Sequence, residues 1–414
     1  MTRRRRASLL VGLALASVAA ACANDGPAAG PRPTTSAPSP VQAVPSCVHP
    51  DDRCSTTGSD VTLTVTGRPT GPVRVEPPAG DVLSTIDRDA GIAARLRDGS
   101  VLWLFGDTAA RDEAGRIVYF VIGTASWASA DAPTVTHDAH DPATGAPVEF
   151  ATPTASFGSC PLPTQRPGMW PAAAVVQAVG PRDRVVIWFH DVCLGQGDGS
   201  LADMGMAVGE WWYDPASPPG DAPLRATILN QRLFPHRSLG SAAVVSPDGS
   251  LHVFHCASPA DPSDRDRYGP CSVGTATVDH AADPAAYRLG GDVAMPRGPL
   301  TGTYPAGPFS VAFDPIVGAY VMVYSPWPGP TRYADVRVAS RPEGPWSTPV
   351  TVTLDGCADR IGTRQFNCYA ANAQPSFSTP GHLGIGYYDS SISKFPTRGA
   401  YTVVSVPIRV HVGS

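Results

Sequence analysis

The chain has 414 residues, 43% hydrophobic and 16% charged, with a formal net charge of −5. That is ample for a large buried core and excludes a disordered chain, while the mildly acidic balance excludes a basic nucleic-acid surface. The 41 glycines and 45 prolines fit a fold of short strands and turns and argue against long helices.

Arg3 to Arg6 form a positive segment ahead of an apolar run from Leu9 to Ala21. The run is too short to span a bilayer and reads as a secretory signal peptide over residues 1–22. Cys22 follows an alanine run and resembles a bacterial lipoprotein box, so lipidation is expected there, against ordinary secretion with Cys22 incidental. Residues 23–46 are rich in Pro, Ser, Thr and Ala and read as a tether with no core of its own. Residues 47–80 read as an N-terminal β extension, and residues 81–414 as the folded domain.

The stretch from Asp87 to Thr108 organises the remainder of the chain. Asp98-Gly99 lies between two apolar runs, a strong hairpin signal because its second position favours positive φ. Folding there brings Asp89 and Asp107 to the open end of one strand pair.

The same pattern returns along the chain as a strand of small and β-branched residues, a turn, then an aromatic strand. It is read at 172–191, 240–255, 309–325 and 375–389. The second strands end at Asp107, Asp191, Ala257, Ser325 and Asp389, in steps between 64 (389 − 325) and 84 (191 − 107) residues. A third strand-like run succeeds each copy. Such a period predicts an all-β, five-bladed propeller, with a pair of β-sandwiches as the alternative.

Setting Cys22 aside, eight of the nine cysteines remain (9 − 1), an even number in an exported chain. Proximity in sequence suggests disulfides Cys47–Cys54, Cys160–Cys193, Cys256–Cys271 and Cys357–Cys368. No tight Cys-x-x-Cys spacing supports a zinc site, and no metal or cofactor is expected.

In a propeller, the starts of first strands and the ends of second strands ring one mouth. That rule gathers Asp89, Asp107, Trp170, His190, Asp191, His236, Arg237, His255, Tyr369, Asn372, Gln374, Tyr388 and Asp389. Carboxylates for proton transfer, aromatics to stack on sugar rings, and amides and arginine to hold hydroxyls suit a glycan. Asp89 and Asp107 are expected as an exposed catalytic pair, with Trp170, Asp191, Arg237, Tyr369, Asn372, Gln374 and Asp389 binding substrate. Structural readings stand beside these: Asp107 capping a strand, Trp170 packing between blades, and His255 serving the neighbouring Cys256. Serine-hydrolase, phosphate-loop and zinc-protease motifs are missing.

At Arg88-Asp89-Ala90-Gly91 and Trp103 to Thr108 the chain resembles a bacterial family once filed as a domain of unknown function and now including endo-D-arabinanases. Further echoes are Gly240 to Val245, Ala339 to Ser347, and Gln374 to Ser378; the likeness spans roughly residues 81–410. It implies a five-bladed propeller that cuts the D-arabinan of mycobacterial arabinogalactan and lipoarabinomannan, with Asp89 and Asp107 as the catalytic acids and retention of configuration. The chain departs from the family at Ala90, where glycine is frequent, and at Gln374, where histidine is common. The expected protein is therefore a monomeric exported glycosidase, lipid-anchored outside the cytoplasmic membrane, with a cell-wall polysaccharide as its partner and no nucleic acid. A non-catalytic carbohydrate-binding propeller lipoprotein is the second reading. Another five-bladed glycosidase, such as an L-arabinanase or fructan hydrolase, is the third.

Overall fold

A computed structural model of the chain describes residues 54–58, 60–81, 83, 86–111, 116–195, 200–235, 239–256, 271–293, 308–325, 332–354, 357, 368–389 and 399–412. The chain enters through strands β1 (Cys54–Gly58), β2 (Val61–Val65) and β3 (Thr70–Arg74); β1 pairs with β2, and both β2 and β3 pair with a strand at the far end of the sequence.

Blade one comes next: β4 (Ile86–Arg88) and β5 (Ile92–Arg95) share one partner, β6 (Val101–Arg111), which also pairs with β7 (Ile117–Ala128). The turn between β5 and β6 is the expected Asp98-Gly99 device, with Gly99 at φ 88°. Blade two is β8 (Gln165–Val179), β9 (Arg182–Gly195), β10 (Leu201–Tyr213) and β11 (Thr227–Pro235). Blade three is β12 (Ala242–Val245), β13 (Ser250–Cys256), β14 (Cys271–Thr277) and β15 (Arg288–Val293). Blade four is β16 (Phe309–Asp314), β17 (Ala319–Tyr324), β18 (Tyr333–Ala339) and β19 (Val350–Thr353).

Blade five is β20 (Cys368–Ala373), β21 (His382–Asp389) and β22 (Ala400–Val412). Its outer strand comes from the other end of the chain, because β3 pairs with β22. The stretch read as an N-terminal extension thus completes the last blade, and β2 pairs with the tail of β22 beside it. The fold is a five-bladed β-propeller, with no α-helix among the described residues.

One strand of the expected repeat is misplaced. Pro375–Phe377 is a 3-10 turn, and the inner strand of blade five lies just upstream. Proline cannot donate to a ladder, and the N–H of Phe377 closes the turn on the Gln374 carbonyl.

Blades cohere face to face. Trp188 is buried between blades two and three with Leu251, Val253 and Tyr287, and Trp103 between blades five and one with Tyr401 and Val403. Each such ring removes a large apolar area from water, and truncating one to alanine typically costs about 3–5 kcal/mol. The innermost strands carry small residues such as Ala93, Ala173, Ala243, Ala312 and Ala373, which surround a central cavity of about 260 Å³. Disulfides join Cys160 to Cys193, Cys256 to Cys271, and Cys357 to Cys368, as expected. Cys22 and Cys47 lie outside the described residues, which leaves the Cys47–Cys54 pairing there too.

Candidate active site

The site begins as a fault in a β-ladder. Arg88 pairs with Thr108 and Ile92 with Leu104 in one continuous register, which sets Asp89 opposite Asp107. The Asp89 N–H donates to the Asp107 carbonyl at 3.1 Å. The return bond is not made by backbone: the Asp107 N–H donates to the Asp89 side chain, Oδ1, at 2.8 Å. The Asp89 carbonyl instead accepts from the Gly106 N–H at 3.0 Å. Ala90 absorbs the change with φ at 52°, a left-handed conformation that few L-residues adopt. Gly106 is required by space, since a Cβ there would stand 2.5 Å from Asp89 Oδ1.

Each acid receives one aromatic donor from a neighbouring blade. Trp170 Nε1 of blade two donates to Asp107 Oδ1 at 2.7 Å, and the Tyr369 hydroxyl of blade five donates to Asp89 Oδ2 at 2.5 Å. Both aromatics are half-buried. The acids beneath them are not exposed as expected; Asp89 and Asp107 are only 7% and 8% accessible, because the strand pair that carries them sits between two packed blades.

Covalent geometry holds a carboxyl carbon within about 4 Å of its own amide nitrogen. The bond from the Asp107 N–H to Asp89 therefore keeps the two carboxyl groups within about 8 Å of each other.

Burial raises both acids. Asp89 is pushed up to about 6 by burial, opposed by the Tyr369 hydroxyl and the Asp107 amide, with the Asp87 charge adding to the rise. Asp107 is pushed to about 8 by burial and then by the charge of Asp89, against the Trp170 donor and Arg166. Asp89 accepts two hydrogen bonds to its charged form where Asp107 accepts one, so the pair releases its first proton from Asp89. Near neutral pH the site thus holds one ionised and one protonated carboxyl side by side, an arrangement suited to acid and base work together.

The fold is shared with a Bacteroides ovatus protein that carries a provisional hydrolase name, at 15% identity and a TM-score of 0.51 over 83% of this chain and 90% of that one. Two further structures overlap with lower scores. CoXyl43, a GH43 β-xylosidase/α-arabinofuranosidase from a compost metagenome, gives 14% identity and 0.44 over 81% of this chain and 94% of its own. An exo-1,5-α-L-arabinanase from a bovine ruminal metagenomic library gives 12% identity and 0.39 over 78% and 93%. No protein-family model and no curated protein matches the chain. At such identities the likeness establishes the fold and leaves chemistry to the site itself.

The other expected residues divide into four groups. Asn372 and Gln374 adjoin the pair but are buried beneath it, and both amides donate to the Gly91 carbonyl, at 3.3 and 3.2 Å. They hold the backbone just beyond Asp89. Asp191 belongs to a separate buried network, where the Gln231 amide donates to both of its oxygens at 2.9 and 3.0 Å. Burial pushes Asp191 to about 7 against that donor, with the Asp203 charge adding to the rise. Asp389 lies beside the Cys357–Cys368 bridge, its Oδ1 3.7 Å from Cys368 Sγ. Arg237 and His236 lie outside the described residues.

Sequence reasoning did not single out Asp87, Gln231 or Arg166. Asp87 accepts from the Tyr388 hydroxyl at 2.5 Å. Its signal was present, because two acids either side of Arg88 share one strand face. Arg88 points the other way, into an ion pair with Asp138 and bonds to Ser126 and Thr136, and anchors the strand. Among the described residues no cluster of three or more His, Cys, Asp or Glu side chains is placed to hold a metal ion.

Proposed function

We propose that this protein is an exported glycoside hydrolase that cuts internal α-D-arabinofuranosyl linkages of actinobacterial cell-wall arabinan. The observation that carries the reading is the opposed acid pair, joined by the Asp107 amide and capped by an aromatic donor on each carboxyl, with burial raising both acids. The Arg-Asp-x-Gly and Phe-Gly-Asp-Thr motifs around the pair support arabinan as the polymer.

In this mechanism the Asp107 carboxyl gives its proton to the glycosidic oxygen as the bond to the anomeric carbon breaks. The Asp89 carboxylate attacks that carbon and forms a glycosyl ester. The Asp107 carboxylate then takes a proton from water, whose oxygen displaces Asp89 and restores both groups. Retention requires carboxyl groups about 5 Å apart, and inversion about 6.5–9.5 Å; the direct bond from the Asp107 amide to Asp89 favours the shorter geometry. Trp170 presents aromatic surface beside Asp107 for a furanose ring to cover. Cys22 would carry the acyl chains that keep this monomer at the outer face of the membrane.

Incubation with arabinogalactan should release oligo-arabinofuranosides, and proton NMR of the first product formed should show the anomeric configuration of the substrate. Binding without release would refute the hydrolase reading and leave a carbohydrate-binding propeller. Release of the opposite anomer would refute retention alone.

A further inference from the structure

Two observations meet at the seam between the last blade and the first. Tyr369 and Tyr388 stand directly opposite across β20 and β21, with ring centroids 4.9 Å apart in an edge-on arrangement. Each hydroxyl crosses the seam to a blade-one carboxylate: Tyr369 donates to Asp89 and Tyr388 to Asp87, both at 2.5 Å. The second observation lies in the backbone. Among the described residues, the non-glycine positions with positive φ are Ala90 at 52° and Ala370 at 53°. One comes directly after Asp89, and the other directly after Tyr369. β20 is also irregular between Tyr369 and Asn372, where its register against β21 shifts. Bulges re-aim side chains, and strained backbone persists where the surrounding structure enforces it, most often at functional sites. Here strain falls on both ends of one hydrogen bond.

We propose that Tyr369 is a positioning residue that decides which acid of the pair stays ionised: its hydroxyl, delivered across the blade seam, holds Asp89 as the proton-free partner and leaves the proton on Asp107. This deepens the acid-pair reading and takes its catalytic meaning from it. The groups around Asp89 make the hydroxyl necessary. Asp87 on the same strand face bears charge of the same sign and discourages ionisation of Asp89, and Asp107 on β6 lies opposite it as the rival site for the proton. Arg166 of β8 favours the charged form of Asp107. Without a donor from blade five, Asp89 would compete with Asp107 for the single proton. The phenol is itself locked as a donor, since burial and the neighbouring Asp89 charge hold its own ionisation well above the usual range. Tyr388 cannot substitute, because its hydroxyl is engaged by Asp87.

The test reads the protonation of Asp89 in the full chain by carbon-13 NMR of aspartate carboxyls, with Asp89→Asn and Asp107→Asn assigning the two signals. Tyr369→Phe keeps the ring against Tyr388 and removes the donor. The Asp89 midpoint should rise by about one pH unit, a tenfold loss of the ionised form at fixed pH below the midpoint. A 3-fluorotyrosine in place of Tyr369 is a stronger donor and should lower the midpoint, and this arm stands even if Tyr369→Phe fails to fold. Midpoints unmoved in both variants would overturn the proposal. In turnover, the acidic limb of kcat/KM should move with the NMR midpoint; a raised KM with the limb in place would mark Tyr369 as a sugar contact instead and would also overturn it. The NMR arm needs no substrate, so an inactive wild type would defeat the hydrolase reading without deciding this one.

Discussion

Replacing Asp107 by asparagine separates what the acid does in turnover from what it costs the fold. Its carboxyl is 8% exposed, and burial beside Asp89 raises it from 3.8 to about 8. The folded protein thus keeps a proton that the unfolded chain releases near pH 4. A carboxyl whose folded-state value lies above its unfolded one leaves stability intact below the unfolded value, and stability is then lost as pH rises towards the folded value. If the whole rise belonged to Asp107 it would amount to about 6 kcal/mol. Part of it reflects the charge of Asp89, and pH 5 already lies above the unfolded value, so we expect about 2–3 kcal/mol between pH 5 and pH 9. Asparagine keeps an oxygen for Trp170 and never carries charge. The stability advantage of Asp107→Asn over the parent should therefore grow by about 2–3 kcal/mol from pH 5 to pH 9, while turnover falls by about 10²–10⁴ or more. Urea unfolding at the two pH values, beside initial rates on arabinan, measures both quantities. An advantage that does not grow with pH would refute the picture of a buried acid held neutral by its surroundings.

Three further outcomes are expected. Gly106→Ala would place a Cβ 2.5 Å from Asp89 Oδ1 and 3.3 Å from the Ala90 Cβ, so activity should drop by about tenfold or more with the circular dichroism unchanged; full activity would show that the acid has room to move. Replacing Cys357 and Cys368 together by serine opens a bridge of sequence separation 11 directly beside Tyr369, and should cost about 3 kcal/mol and reduce turnover before the propeller unfolds. Unchanged rates in that variant would show that the bridge does not hold Tyr369 in place. Cys22→Ala should release the protein from the detergent phase to the medium, and equal partitioning of parent and variant would count against a lipid anchor.

The blades were legible because their second strands are nearly uninterrupted apolar runs, such as Val185 to Phe189 and Ala319 to Tyr324, bounded by turns. Continuous apolar runs of that length between turns mark buried strands. The acid pair was legible for a related reason, since a hairpin turn at Asp98-Gly99 fixes the register that sets Asp89 against Asp107. What escaped was set by contacts between distant segments. Tyr369 meets Asp89 across 280 residues, and no local pattern announces which blade will lie beside which acid. The burial of the pair escaped for the same reason: strand alternation reports which face a residue takes, and two neighbouring blades decide how deep that face lies. Asn372 and Gln374 read as sugar ligands by residue type, and no local pattern announced that their amides also hold the Gly91 carbonyl. In blade five, the apolar content of Pro375 to Phe377 imitated a strand that the proline forbids.

The closing of the ring by β3 has a consequence for assembly and for force. The Thr70 hydroxyl meets the Ser405 carbonyl at a separation of 335 residues, so the clasp joins segments made at opposite ends of synthesis. Blades one to four can form from neighbouring segments, whereas the clasp must wait for β22 and carries a long loop-closure cost, a topology that folds slowly. Until then β3 is an open edge seeking a partner. Once the ring is shut, any load carried by the chain ahead of β1 enters through the sheet of blade five, the same blade that reaches across the seam with Tyr369, so tension at the amino terminus and the state of Asp89 share one piece of scaffold.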